Sequence, residues 1–516
     1  MRNPVDLPTR APTVCLDHIS SKDLNTLGKD LLALMNLSGV DTDRATHYNT
    51  KEEMEAARIA LHQKVFEMDR SVYGCVFCLP GITDFAKQKA VVAMLANSWG
   101  TNPKAALTLD HEGRIIDHLV WGLPANRMMN LFVDLRNKKV NNSRTKVQLI
   151  PKVLTSGNLE LWSVKYRSKL RKALEHAWDR KTTSVAKTRL ATESYDKVLD
   201  GIRLERREVV GECLSFILGN DAYNGREFQL PLLKAFVESK TDLAKGAKLP
   251  REVLEGIRST YHPNVKQDEL LNLVKDTMTV KQKKLSQKAA KKAGVVIEFD
   301  PMRHSMVELY IYAFEMGFDD EIKRALTIKA KRAAKALPFK YGKVGIVVDN
   351  SFSMSGSEEQ KLRPIAIALS CKDMLWNVAD ERELAFANPG GSTKPFGDTN
   401  LATALLDVLE GKPDAVFVIS DGYENAPAGR FEEVLHLVRN QARIDTPIYQ
   451  LNPVGASESK TGIRKLAKEV PVMPVNAPES IGLTLFVSML ENDPKRGIES
   501  IVNTALPIFM GRRAIA

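Results

Sequence analysis

At 516 residues the chain exceeds one ordinary hydrophobic core, so two or three domains are expected. With 44% hydrophobic and 27% charged residues, its composition excludes the disordered and fibrous classes and fits a soluble globular protein. The net charge of +11 is unevenly spread: 56 Lys and Arg against 41 Asp and Glu precede Tyr341, and 18 against 22 follow, which joins a basic front (+15) to a mildly acidic back (−4). Such asymmetry suggests a polyanion partner for the front; the plainer alternative is a solvated helical surface.

The N-terminal MRNPVDLPTRAPTVCLDH has no apolar core of signal-peptide length, and no run approaches 18 apolar residues. No membrane span is therefore expected, and the expected location is the cytoplasm. The five cysteines, Cys15, Cys75, Cys78, Cys213 and Cys371, fit reduced thiols. Cys75 and Cys78 form a Cys-x-x-Cys pair, but a structural zinc would need two more ligands at a recognisable spacing. They are expected to be small buried side chains.

In chain order, residues 1–21 read as an N-terminal arm and residues 22–340 as helix after helix. DLNTLGKDLLALMNL, KEEMEAARIALHQKVFEM, FAKQKAVVAMLANSW, RMMNLFVDLRNK, SKLRKALEHAWDRK, REVVGECLSFIL, LPLLKAFVESK, DELLNLVKDTM and HSMVELYIYAFEMG place apolar residues at helical spacing. Gly, Pro or Asn mark the breaks. VVIEF at 295–299 is the one strand signal. Many amphipathic helices with short connections predict a solenoid of degenerate, HEAT-like helical repeats, with an irregular all-α domain as the alternative.

The richest basic stretch of this region spans 146–189, with a smaller group just upstream. Its candidate RNA-contacting residues are Lys138, Lys139, Arg144, Lys165, Arg167, Lys169, Arg171, Lys172, His176, Arg180 and Lys181, interleaved with Trp162, Tyr166 and Trp178. Cations for phosphates and ring faces for unstacked bases are what single-stranded nucleic acid asks for. The competing reading is that the tryptophans are core and the charges pair with Glu on solvated helix faces. KQKKLSQKAAKK (281–292) and IKRALTIKAKRAAK (322–335) are further basic clusters.

After Pro338 the period changes. Apolar runs KVGIVV (343–348), LAFA (384–387), AVFVIS (415–420), IYQL (448–451) and PVMPV (471–475) alternate with amphipathic helices expected at 359–377, 399–410, 430–442, 459–469 and 479–491. This alternation predicts a mostly parallel, doubly wound sheet covered on both faces, with ligands at the carboxyl ends of its strands. Three predicted strand-end loops offer hard oxygen: Asp349, Ser351 and Ser353 in VVDNSFSMSG, Thr399 in GDTNLATAL, and Asp421 in AVFVISDGYEN. Hydroxyls and carboxylates suit a divalent cation, Mg²⁺ first with Mn²⁺ or Ca²⁺ as alternatives. The same residues could instead be helix caps and turn formers. No Gly-x-Ser-x-Gly elbow or phosphate-cradling loop is present, and His436 falls in mid-helix, so no catalytic machinery is expected.

The Asp-x-Ser-x-Ser, Thr and Asp set resembles the von Willebrand factor A domain and its metal-ion-dependent adhesion site, over about 341–493. The resemblance implies that Ser351, Ser353 and Thr399 contact the cation directly while Asp349 and Asp421 act largely through water. A long basic helical region followed by such a domain also resembles the Ro60 autoantigen family, whose helical part is the TROVE module. NLELWSVKYRSKLRKALEHAW and MRHSMVELYIYAF are the segments that echo it. The resemblance implies a ring of helical repeats closed by the A domain, with residues 494–516 packing back on the helical part. It also implies a non-enzymatic protein that binds Y-like noncoding RNA and misfolded RNA 3′ ends, working with an exoribonuclease in RNA quality control. The alternative is a metal-dependent protein–protein adaptor that works beside a MoxR-type ATPase.

Overall fold

The computed structural model describes residues 16, 18–38, 50–97, 105–142, 145, 150–193, 204–275, 278, 282–283, 286–287, 297–335, 341–389, 393–454 and 463–511. It is an α plus α/β protein whose chain divides into two compact units. One comprises Met1–Ala93, Trp99–Trp121 and His304–Ala516, the other Met94–Ser98 and Gly122–Arg303. The change of period near Pro338 therefore falls inside the first unit. The whole of the +15 lies within Gly122–Arg303, which holds 36 Lys and Arg against 21 Asp and Glu, and the first unit nets −4.

The helices described in chain order up to the second unit's hairpin are α1 (Ser21–Ser38), α2 (Lys51–Met68), α3 (Arg70–Cys78), α4 (Asp84–Ala96), α5 (Leu109–Gly122), α6 (Ala125–Asn137), α7 (Ile150–Thr155), α8 (Leu159–Lys165), α9 (Arg167–Trp178), α10 (Arg180–Thr192) and α11 (Leu204–Leu218). A two-stranded hairpin follows, β1 (Ala222–Tyr223) with β2 (Arg226–Glu227). Its turn is Asn224-Gly225, with φ of 50° and 69°. Both central residues are left-handed, as a two-residue hairpin of matching twist requires. The strand expected at VVIEF is not formed at Ile297–Phe299, and residues 295 and 296 lie outside the described residues. The second unit continues through α12 (Pro231–Glu238), α13 (Arg251–Tyr261) and α14 (Gln267–Val274).

In the first unit, α15 (Met306–Met316) and α16 (Asp320–Lys335) lead into β3 (Tyr341–Val348), α17 (Arg363–Val378), β4 (Ala379–Phe386), α18 (Leu401–Glu410), β5 (Ala415–Ile419), α19 (Arg430–Asn440), β6 (Ile448–Asn452), β7 (Val472–Pro474), α20 (Leu483–Asn492) and α21 (Pro494–Met510). The five strands β3–β7 form one sheet in the order β4-β3-β5-β6-β7, every pairing parallel. β5 is buried along its whole length and β3 over Val344–Val348, which is why both read as continuous apolar runs. Gly345 lets α18 lie close to the sheet, because a Cβ there would meet Val408 Cγ1 at 2.2 Å. The α1, α3 and α20 helices all pack against α21.

Two expectations need correction. The outer strand β4 begins at Ala379, five residues before the apolar LAFA, because an edge strand exposes Asp380, Glu381 and Arg382 to water and shows no apolar run. The helix expected over 459–469 is absent from Ile463–Glu469, the part the structure describes. There the Gln450 amide donates to Arg464 O (3.1 Å) and accepts from Leu466 N (2.9 Å), which gives this backbone partners that a helix would otherwise supply.

Candidate metal centre

The chain leaves β3 for β4 on one side and returns to β5 on the other, so the carboxyl ends of β3 and β5 flank the point where the winding reverses. Asp349 follows β3 directly and is fully buried. Its Oδ1 accepts from Ser351 N (2.9 Å), and its Oδ2 accepts from Ser420 Oγ (2.7 Å) at the end of β5. Ser351 and Ser353 place their hydroxyl oxygens 3.1 Å apart. The Ser353 hydroxyl also hydrogen-bonds the Asp421 carboxylate. Asp421 Oδ1 accepts from Tyr423 N (2.9 Å), and its carbonyl accepts from Asn452 Nδ2 at the end of β6 (2.9 Å).

Thr399, also buried, stands two residues before α18. Its N–H donates to Asn425 Oδ1 (2.8 Å) and its carbonyl accepts from Ala426 N (3.2 Å), which joins it to the Asp421 loop. Phe352 N donates to Gly397 O (3.0 Å) and Phe396 N to Asn350 O (2.9 Å), which joins the Thr399 loop to the Asp349 loop. Asp349, Ser351, Ser353 and Asp421 are thus linked by direct hydrogen bonds, and Thr399 is held on the adjoining loop. Ser420, Asn350, Asn425 and Asn452 brace the set. Nothing in their local sequence marks them, since each acts across loops distant in the chain.

Burial, and secondarily the charge of Asp421, push the Asp349 carboxyl up from its ordinary 3.8 to about 6, against the pull of the Ser351 and Ser420 hydrogen bonds. Burial also raises Asp421, opposed by the Tyr423 N–H, the Ser353 hydroxyl and Arg464. Two buried carboxylates that repel each other beside paired hydroxyls fit a hard divalent cation, which would offset both the desolvation and the repulsion. Asp349, Ser351, Ser353, Thr399 and Asp421 would hold it, and it would supply an electrophilic point for an anionic group. No cluster of three or more His, Cys, Asp or Glu side chains that could hold a metal occurs among the described residues, so the candidate centre depends on its hydroxyls as much as on its two carboxylates.

The raised value of Asp349 carries a stability consequence. Because the folded value exceeds the unfolded one, the contribution is fully present below pH 3.8 and lost as pH rises through about 6. In EDTA, wild-type stability relative to Asp349→Asn is expected to fall by roughly 3 kcal/mol between pH 4 and 7. Urea midpoints of the two proteins across that range check this; a flat difference would count against it.

The basic residues of the second unit fall into two groups. Arg167 is an internal brace: its Nε donates to Phe216 O (2.8 Å) and its guanidinium lies over the Phe216 ring (4.1 Å), with burial lowering its pKa. Lys165 faces Glu252 (3.6 Å), Lys169 donates to Asn130 Oδ1 (2.7 Å), Arg171 pairs with Glu175 (3.0 Å), and His176 Nε2 meets Val140 O (3.0 Å). Lys138, Lys139, Lys172, Arg180 and Lys181 are exposed and form no ion pair among the described residues. The Asn141 amide donates to His176 O (2.6 Å), which ties the turn carrying Lys138 and Lys139 to the end of α9, just before Arg180 and Lys181. Arg144 and most of 281–292 lie outside the described residues, and Trp162, Tyr166 and Trp178 are half-buried. No protein-family model matches the chain, and no curated protein matches it.

Proposed function

We propose that this is a non-catalytic RNA-binding protein of the Ro autoantigen type, cytoplasmic, which holds structured noncoding RNA or single-stranded RNA ends on its basic helical unit. The observation that carries this reading is the concentration of charge: a net of +15 in Gly122–Arg303 of a chain whose total is +11. Arg180 and Lys181 strengthen it. They open α10, where the helix dipole disfavours cations, so these positions cost local stability that an anionic partner would recover.

The test is binding to a pool of structured RNAs with single-stranded tails, at about 50 and 200 mM salt, with and without EDTA. Wild-type affinity is expected to fall steeply with salt and to survive EDTA. Joint replacement of Lys138, Lys139, Arg180 and Lys181 by Ala is expected to weaken binding about tenfold or more, and to flatten the slope of log K against log salt by about 0.7 for each phosphate the variant no longer neutralises. Arg167→Ala is expected to lower stability by about 2 kcal/mol and leave the slope unchanged, since it packs inside the unit. No binding at low salt would overturn the proposal.

The strand-end cluster favours a second reading for the first unit. There a von Willebrand A-type domain would hold Mg²⁺ and use it to dock an acidic group of a partner, as an adaptor beside an ATPase or an exoribonuclease does. EDTA or Asp349→Ala should abolish that docking and leave RNA binding intact.

A further inference from the structure

We infer that Arg464 is a built-in competitor of the divalent ion, a guanidinium held on the Asp421 loop that stabilises the cation-free protein and sets how tightly the ion is taken up; this rests on the reading of the strand-end cluster as a cation site. The inference comes from how closely the chain holds this one side chain. The Arg464 guanidinium lies over the ring of Tyr423, two residues after Asp421, at 5.2 Å. Its stem crosses the glycine between them: a Cβ at Gly422 would stand 2.9 Å from Arg464 Cγ and 2.7 Å from Arg464 O. Gly422 has a φ of 83°, so the loop needs glycine for its backbone and uses the missing side chain to admit the arginine.

The backbone of Arg464 is fixed independently of its charge. Gln450, fully buried on β6, donates its amide to Arg464 O (3.1 Å), and its oxygen accepts from Leu466 N (2.9 Å). One buried side chain thus clamps the chain on both sides of Lys465 and leaves the Arg464 side chain to run along Asp421–Tyr423. The loop it meets is equally fixed, with Gly422 N donating to Ser420 Oγ (3.1 Å) and Tyr423 N to Asp421 Oδ1 (2.9 Å).

Charge decides what this arrangement does. The centre gathers two buried carboxylates, and Arg464 is the cation that offsets part of the cost at Asp421. In the cation-free protein the guanidinium faces an anionic pair, and the interaction is favourable. A divalent ion would neutralise both carboxylates, so the guanidinium would face a set with no net charge and lose that interaction. The free energy that Arg464 contributes to the cation-free protein is therefore subtracted from the affinity for the ion. Ion uptake becomes a displacement, in which Arg464 gives up its hold on Asp421.

Mn²⁺ titrations of the wild type, Arg464→Lys and Arg464→Met, read by the electron paramagnetic resonance of the free ion, test this. Met keeps a stem to lie across Gly422 and loses the charge, whereas Lys keeps both. Arg464→Met is expected to bind Mn²⁺ about tenfold tighter than the wild type, and Arg464→Lys to stay within about twofold of it. Urea unfolding gives a second readout: the cost of Arg464→Met in EDTA should exceed its cost in saturating Mn²⁺ by the same factor, about 1.4 kcal/mol. Equal or weaker Mn²⁺ binding by Arg464→Met would overturn the role of Arg464 and leave the cation site standing. So would a gain in Arg464→Lys as large as in Arg464→Met, which would assign the effect to packing over Tyr423 rather than to charge. If neither the wild type nor Arg464→Met takes up Mn²⁺, the cation site falls, and the inference with it.

Discussion

Asp349→Asn is expected to abolish stabilisation by Mg²⁺ and, in the same substitution, to stabilise the cation-free protein at neutral pH. The wild-type carboxylate is fully buried, faces Asp421 and carries a pKa raised to about 6, so its ionisation at pH 7.5 opposes folding. The amide keeps an acceptor for Ser351 N and removes the charge. In EDTA the variant should therefore be more stable by up to roughly 3 kcal/mol. Added Mg²⁺ at about a hundred times its dissociation constant should stabilise the wild type by about 2.7 kcal/mol and leave the variant unmoved. Urea unfolding of both proteins, with Mg²⁺ and with EDTA, gives all four numbers. A variant that responds to Mg²⁺ as the wild type does would remove Asp349 from the centre.

Glu112→Ala is expected to cost about 3–5 kcal/mol, the largest loss from any single substitution considered. Glu112 on α5 is fully buried and binds Arg70, the first residue of α3, through two hydrogen bonds, Nε to Oε2 at 2.5 Å and Nη2 to Oε1 at 2.8 Å. The same guanidinium lies over the Phe66 ring at 4.7 Å. Removing the carboxylate deprives a buried cation of its bidentate partner, and that penalty exceeds the net value of the pair. The double variant Arg70→Met, Glu112→Leu is accordingly expected to recover most of the loss. Equal destabilisation in single and double variants would show that packing volume, not the buried charge, sets the cost.

The sheet is legible in the sequence because its central strands are buried on both faces. GIVV and AVFVI cannot be read otherwise once helices flank them, and Asp349 and Asp421 then fall at strand ends by counting alone. The edge strand is legible only in its apolar last third, since Asp380, Glu381 and Arg382 face water. The 463–469 segment reads as a helix and is not one, because its turns answer to the side chain of Gln450 on a neighbouring strand. Arg167 looks like its neighbours in a basic run, and only packing against Phe216 separates a brace from a free cation.

The sequence by itself determined the α plus α/β class, the parallel strands and the oxygen-bearing residues at their ends, because hydrophobic period and residue chemistry are local properties. The tertiary structure decided the rest. It joined residues up to Ala93 and from His304 onward in one unit, and so confined the net +15 to Gly122–Arg303. It set Ser420 against Asp349, and it joined the Asp349 loop to the Thr399 loop through the Phe352 N to Gly397 O and Phe396 N to Asn350 O hydrogen bonds. Those relations depend on which segments of a folded chain come to lie side by side, and that is fixed by packing between residues far apart in sequence.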